Sequence, residues 1–455
     1  MIRLAALSCA ALALSACASI EPYPAERPVL APQAYAGDLP ESGVAENWWE
    51  GFNDPLLEGL VEQGLAANID IAIARDRLRG AAALLRAERA DRLPRVDGAA
   101  DASIGLGTFD SDSASVGLLG TFDPDISGRL DAEIRAAAAD YAQAEYIVAD
   151  QRRLVAAAIA AQYIEYRRTG AQLELVSQST ELQERTLRIV SLRFEAGLAA
   201  NLDVRRAAAD LAQTRARRGL IEIARAGAAN RLAILLGQPP GLFAPEPPMG
   251  AQTIPDYTGG PPAGTPVDLL RRRADILAAE AALLRAAADV GIEQANLRPS
   301  LTIPASLALG DGSIGGILDE FIASIGAALD LPLFDGGRRR AEVEAAEAEA
   351  DARFGEYRLT FLEALGEVEN ALVALDANGQ RIDALSEAIE QSEAALEQSD
   401  ALYREGLATL FDVLDAQRQL IASRQSLIDS QAALATSFVS FHAAIGSQEN
   451  APTAY

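Results

Sequence analysis

His442 is the single histidine of this 455-residue chain, and no lysine occurs, so all 39 basic residues are arginine. Those two facts remove the Ser-His-Asp triad, histidine-held metals, the lysine of a phosphate-binding loop and Schiff-base chemistry together. His442 lies in an apolar helical stretch from Phe438 to Ala444, where an imidazole packs in a core or interface more often than it ligates. Carboxylates are the remaining acid–base groups, and no pair has a spacing that singles it out for catalysis. Asp412 and Asp415, three apart, would share one face of a helix. The chain is therefore expected not to be an enzyme and to need no cofactor or metal.

The thiols point elsewhere. Arg3 is followed by an apolar stretch, Leu4 to Ala16, too short to span a bilayer but suited to the core of a signal peptide, residues 1–16. It ends in Leu14-Ser15-Ala16-Cys17, which resembles a bacterial lipobox, with Cys17 as the lipidated first residue of the mature chain. Ordinary cleavage nearby is the alternative. Cys9 would leave with the signal, so stability cannot rest on disulfides. The net charge of −26 excludes nucleic acid, which needs clustered cations, and suits an acidic lumen. After the signal no apolar run reaches the roughly 18 residues of a membrane helix. Any spanning must use strands.

The elements that would position these residues come in two copies. Phe194-Glu195-Ala196-Gly197-Leu198 followed by Asp203-Val204 parallels Tyr403-Arg404-Glu405-Gly406-Leu407 followed by Asp412-Val413, and Arg92-Leu93-Pro94 parallels Leu297-Arg298-Pro299. The reading is a lipid-anchored N-terminal segment 17–54, a first repeat 55–238, a proline-crowded connector 239–266, a second repeat 267–446 and a tail 447–455. Each repeat opens with a helical stretch, Pro55 to Arg92 or Pro266 to Arg298, that ends at a proline.

Period two then replaces period 3.6, giving hairpins at 96–126 and 301–334. In the first, Ile104 and Leu106 alternate with small residues before Val116, Leu118 and Phe122. In the second, Leu301, Ile303, Ala305, Leu307 and Leu309 alternate with Thr302, Pro304, Ser306 and Ala308, and Ile325, Ala327, Leu329 and Leu331 alternate with small or polar residues. Strands of about nine to eleven residues suit a tilted membrane crossing. Four strands cannot close in lipid without leaving edge groups unpaired, so partner chains are demanded; three copies would give an even set of about twelve strands. A soluble two-hairpin sheet is the alternative.

Long proline-free helices follow, 129–196 and 338–404, each about 100 Å at 1.5 Å per residue. Phe354, Tyr357, Phe361, Leu365, Val368, Leu372 and Leu375 step by three or four, and Leu420, Leu427, Leu434 and Phe441 by seven. Gly197 and Gly406 mark turns into return helices 202–236 and 412–444. The fold class is mainly α, with a membrane β-barrel of four strands per chain, twelve in a trimer, continued by a periplasmic α-helical barrel.

At this point the chain resembles the TolC/OprM-type outer-membrane efflux proteins, particularly their lipoprotein branch, from Trp48 to Gly446. Asn47-Trp48-Trp49 with Phe52, Asp54 and Pro55, Leu235-Leu236-Gly237-Gln238-Pro239-Pro240, and Leu269 to Ile276 carry the likeness, with Ala274 where the family has proline. Tyr403, Gly406 and Asp412-Val413-Leu414-Asp415-Ala416 carry it most specifically. The resemblance implies a homotrimer spanning outer-membrane lipid, with its tips, Gly197, Leu198, Gly406 and Leu407, meeting a periplasmic adaptor protein. It implies a periplasmic gate in which the residues matching Asp412 and Asp415 form the constriction and those matching Asp203 and Tyr403 link neighbouring helices. Ala408 stands where a latch arginine is expected. Ala18 after Cys17 agrees with outer-membrane sorting.

With threefold symmetry, Asp412 and Asp415 would bring six carboxylates round one axis, a ring that repels anions, or they cap the helix that starts there. No motor motif occurs, so an inner-membrane pump, of the RND type by this resemblance, would supply the driving force. Small molecules are the expected cargo; metal ions or secreted polypeptides are the alternatives. A non-spanning lipid-anchored coiled-coil scaffold is the rival from another class.

Overall fold

The computed structural model describes residues 47–103, 113–241, 243, 245, 254–258, 272–309 and 321–445. Cys17 and the strand residues Ile104 and Leu106 lie outside them. The chain forms two compact units, one of Arg75–Ile147 with Asp275–Thr360, the other of the described parts of 31–74, 148–274 and 361–455. Neither unit is a sequence repeat: both repeats contribute to each.

In the second unit a short 3-10 helix, Trp48–Phe52, leads into α1 (Pro55–Ala67). Asp54 caps α1 by accepting from the backbone N–H of Leu56 at 3.0 Å and of Leu57 at 3.3 Å, and Pro55 occupies the first turn, where no N–H is needed. The expected single helix from Pro55 divides at Asn68. Its Oδ1 accepts from Asp70 and Ile71 N–H, starting α2 (Ile69–Ala90), while its Nδ2 donates to the Leu235 carbonyl at 2.9 Å. The core gathers Trp48, Trp49, Phe52, Leu57, Ile159, Tyr163, Leu232 and Val439. Helices α3 (Arg129–Glu195) and α4 (Asn201–Leu235) form one hairpin; α6 (Arg338–Glu405) and α7 (Leu410–Ile445) form the other. The last turns of α7 are buried on nearly every side. There His442 Nε2 meets the Tyr257 hydroxyl at 2.5 Å and the ring stacks on Trp48 at 5.6 Å, and burial lowers the imidazole pKa to about 4. The lone histidine is a neutral core residue.

The first unit carries the sheet. Strands β1 (Arg95–Ser103), β2 (Ser113–Phe122), β3 (Ser300–Leu309) and β4 (Phe321–Ile325) pair antiparallel in that order, and β5 (Ala328–Asp330) also pairs with β3. β4 and β5 keep one register, Ala305↔Ile325 and Thr302↔Ala328, so they are one strand interrupted. Pro304 is the cause: its carbonyl accepts from Gly326 N–H at 2.9 Å, but it has no N–H to return.

Register sorts the faces. One carries Val96, Val116, Leu118, Ile303, Leu307, Leu309, Phe321 and Ile325, through pairs such as Leu118↔Leu307 and Leu309↔Phe321. The other is mainly polar or small, with Asp97, Asp101, Ser115, Gly117, Thr302, Ser306 and Ser324, and also carries Leu119 and Ile322; Ser306 bonds Ser324 at 2.7 Å. Ile325 is 80% exposed and Phe321 67% exposed, so this part of the apolar face has no cover among the described residues. Both edges, β1 and β4, lack a partner strand among the described residues. Beneath the sheet, α3 and α5 (Ala274–Ala295) approach closely where Gly291 faces Ala132.

Candidate pore constriction at the helix turns

The two helical hairpins turn in the same way. At the end of α3, Gly197 has φ +74°; its N–H donates to the Phe194 carbonyl at 2.9 Å and Leu198 N–H to the Arg193 carbonyl at 2.7 Å. At the end of α6, Gly406 has φ +80°, with Gly406 N–H on the Tyr403 carbonyl at 3.1 Å and Leu407 N–H on the Leu402 carbonyl at 2.8 Å. Each is a Schellman turn, in which a left-handed residue lets the last carbonyls of a helix find donors. Leu198 is 69% and Leu407 72% exposed. Phe194, Leu202 and Phe411 are exposed beside them, an apolar tip without cover among the described residues.

Beyond the turns the repeats part. Thr409 precedes α7, and both its N–H, at 2.8 Å, and its hydroxyl, at 2.7 Å, donate to the Asp412 carboxylate. These two bonds hold the Asp412 carboxyl below the usual range, hydroxyl first. Asp412 therefore does cap its helix. At the matching place before α4 stands Ala200, which makes no side-chain cap. Asp415, one turn on from Asp412, is exposed and has no bonded partner among the described residues. Val413 and Leu414, between the two aspartates, are buried with Val190, Tyr403 and Leu410, and Val204 packs against them. Tyr403 is thus a wedge between the hairpins. Burial, and then the charge of Asp203, raises its hydroxyl pKa. Asp203 and Tyr403 come near each other without a hydrogen bond, and the buried hydroxyl has no partner among the described residues.

The profile of the outer membrane efflux protein family matches residues 60–238 and 265–447. The chain belongs to the outer membrane efflux protein family. It is 31% identical to nodulation protein T of Rhizobium leguminosarum bv. trifolii, over 90% of this chain and 91% of that protein. It is 30% identical to the pyoverdine export outer membrane protein OpmQ of Pseudomonas aeruginosa, over 96% and 95%. The solved outer-membrane channel OprN superposes with a TM-score of 0.85 at 30% identity, covering 93% of this chain and 98% of that one. Members are outer-membrane channels, and the sheet takes its meaning from that. Its four strands, with β4 and β5 counted as one, belong to a trimeric barrel.

For this efflux-family chain, the duplication runs at one offset through the long helices and their turns, 406 − 197 = 209 residues. The Glu184–Arg215 ion pair, 2.6 Å between α3 and α4, recurs at that offset as Glu393–Arg424, also 2.6 Å, between α6 and α7. Three side chains that break the repeat went unnoticed in the sequence. Arg193, whose counterpart is Leu402, donates to the carbonyls of Tyr403 at 3.2 Å and Arg404 at 3.5 Å. Asp210 and Arg418, whose counterparts are Gln419 and Ala209, form a two-bonded ion pair, 3.1 Å each, between α4 and α7. Comparing the repeats position by position would have flagged all three as departures.

Proposed function

We propose that this chain is the passive exit duct of a tripartite efflux pump: a homotrimer anchored in outer-membrane lipid through Cys17. It receives small molecules from a periplasmic adaptor and an inner-membrane pump of the RND type. One observation carries the reading. A sheet with one apolar face, one mainly small and polar face and two edges without a partner strand among the described residues is stable in lipid when further copies complete it. Exposed Leu220 and Ile223 on α4 and Leu362 and Val373 on α6 support neighbours along the helices as well. The apolar tips at Leu198 and Leu407 are the surface offered to the adaptor.

In this reading the constriction is formed by Asp412 and Asp415, repeated three times round the axis, with Asp203 and Tyr403 linking the helices that carry them. Capping does not compete with that role, because the Thr409 donors keep Asp412 ionised while leaving it exposed. The ring favours cations, and its self-repulsion lets helix pairs splay when the adaptor engages. Single-channel recording of Asp412→Ala/Asp415→Ala in planar bilayers tests it. Altered conductance and weaker block by multivalent cations are expected; wild-type values for both would sink the ring.

A further inference from the structure

We infer that Arg193 is the positioning residue that sets the resting state of the constriction, clamping the end of α6 to the tip of α3 within each chain. The inference rests on the reading of Asp412 and Asp415 as the pore ring, and it assigns the contact that holds their helix in place.

Arg193 lies in the last turn of α3, four residues before Gly197, where a cation would ordinarily serve the carbonyls of its own helix. It crosses to the other hairpin instead. Its Nη1 reaches the carbonyls of Tyr403 and Arg404, at the C-terminal end of α6 where unpaired carbonyls concentrate negative potential. The guanidinium also lies over the Tyr403 ring, 4.7 Å from its centroid. That ring packs with Leu410, Val413 and Leu414, the first turns of α7, so force on Arg193 is passed through Tyr403 to the residues flanking Asp412 and Asp415.

The clamp is strong enough to hold and weak enough to open. Arg193 Nε and the Tyr403 hydroxyl are both buried without a hydrogen-bond partner, so the closed packing leaves polar groups unsatisfied that a rearranged tip could pair. It is also one-sided: the position equivalent to Arg193 in the second repeat is Leu402, so the device ties α3 to α6 and has no duplicate. Ala408 contributes no side-chain bond to this turn, and the guanidinium beside Tyr403 comes from the other hairpin.

The test compares purified wild-type trimer with Arg193→Ala, Arg193→Lys, Tyr403→Leu and the Arg193→Ala/Tyr403→Leu pair in planar bilayers. Trimer retention is followed on unheated gels. Arg193→Ala should raise open probability about tenfold while the trimer persists, the factor expected for losing one cation–π contact with its carbonyl bond. Arg193→Lys should restore little, because an ammonium keeps the charge but does not stack flat on the Tyr403 ring. The double variant should exceed Tyr403→Leu by the carbonyl bonds alone, and so fall short of the sum of the two single effects, since both single variants remove the ring contact. Wild-type open probability in Arg193→Ala, beside an altered cation block in Asp412→Ala/Asp415→Ala, overturns the clamp and leaves the ring standing. Unchanged block in the aspartate variant as well means that the ring itself has failed. Should Arg193→Ala yield no trimer, Arg193→Lys decides, and wild-type gating in it overturns the clamp.

Discussion

Replacing Asp54 with alanine should be among the most damaging single changes in the helical unit, although the residue lies far from the candidate constriction in sequence. Its carboxylate caps α1 through Leu56 and Leu57 and also accepts from the Tyr163 hydroxyl at 2.8 Å and from Arg167 at 2.7 Å. The Arg167 side chain is 4% exposed and that of Asp54 11%. Without Asp54 the buried Arg167 guanidinium loses this charge-assisted bond, which costs about 1.5–3 kcal/mol, and the lost cap adds roughly 1 kcal/mol. The two losses sum to about 3 kcal/mol. Asp54→Asn keeps the cap and should cost about 1 kcal/mol less. Adding Arg167→Met to Asp54→Ala should recover part of the loss, since the buried guanidinium is then no longer short of this carboxylate. Urea unfolding of detergent-solubilised trimer, followed by circular dichroism, measures all three. A loss below about 1 kcal/mol in Asp54→Ala, or no recovery in the double variant, would refute the reasoning from burial.

Two further outcomes are expected. His442 is held neutral, with its pKa lowered from 6.5 to about 4 by burial. The unfolded chain therefore takes up this proton first as pH falls. The contribution is full above about pH 6.5 and drains between there and about pH 4, by about 3 kcal/mol in all. His442→Gln should flatten that window of a stability–pH profile; an unchanged slope would contradict it. For the lipid anchor, the intact mass of the mature protein should exceed that of residues 17–455 by its acyl chains, and Cys17→Ala should take up no labelled palmitate; an unacylated mass would end that proposal.

Much of the architecture is written in local patterns. The duplication is visible as repeated glycine-turn and aspartate spacings, and Gly197 and Gly406 have the positive φ that only a glycine adopts without cost. Alternation from Leu301 to Leu309 separates the two faces of β3 because the side-chain period of a strand is two. Thr409 and Asp412, three residues apart, form a cap that spacing alone suggests. Other features were not legible in that way. The division at Asn68 depends on a carbonyl 167 residues away, at Leu235. Pro304 was visible as a misfit, but its effect, splitting β4 from β5, depends on which residue the register sets opposite it.

The sequence by itself determined the elements and their repetition, because glycine turns, proline stops and apolar periods act between neighbours a few residues apart. It also determined that lysine chemistry, a phosphate-loop lysine or a Schiff base, is absent, since the chain has no lysine. Only the tertiary structure decided which side chains meet: His442 with Tyr257 and Trp48, Asp54 with Tyr163 and Arg167, Arg193 with Tyr403. Those partners are brought together by the packing of whole helices, and a rotation of one helix by a single residue, about 100°, would exchange every one of them.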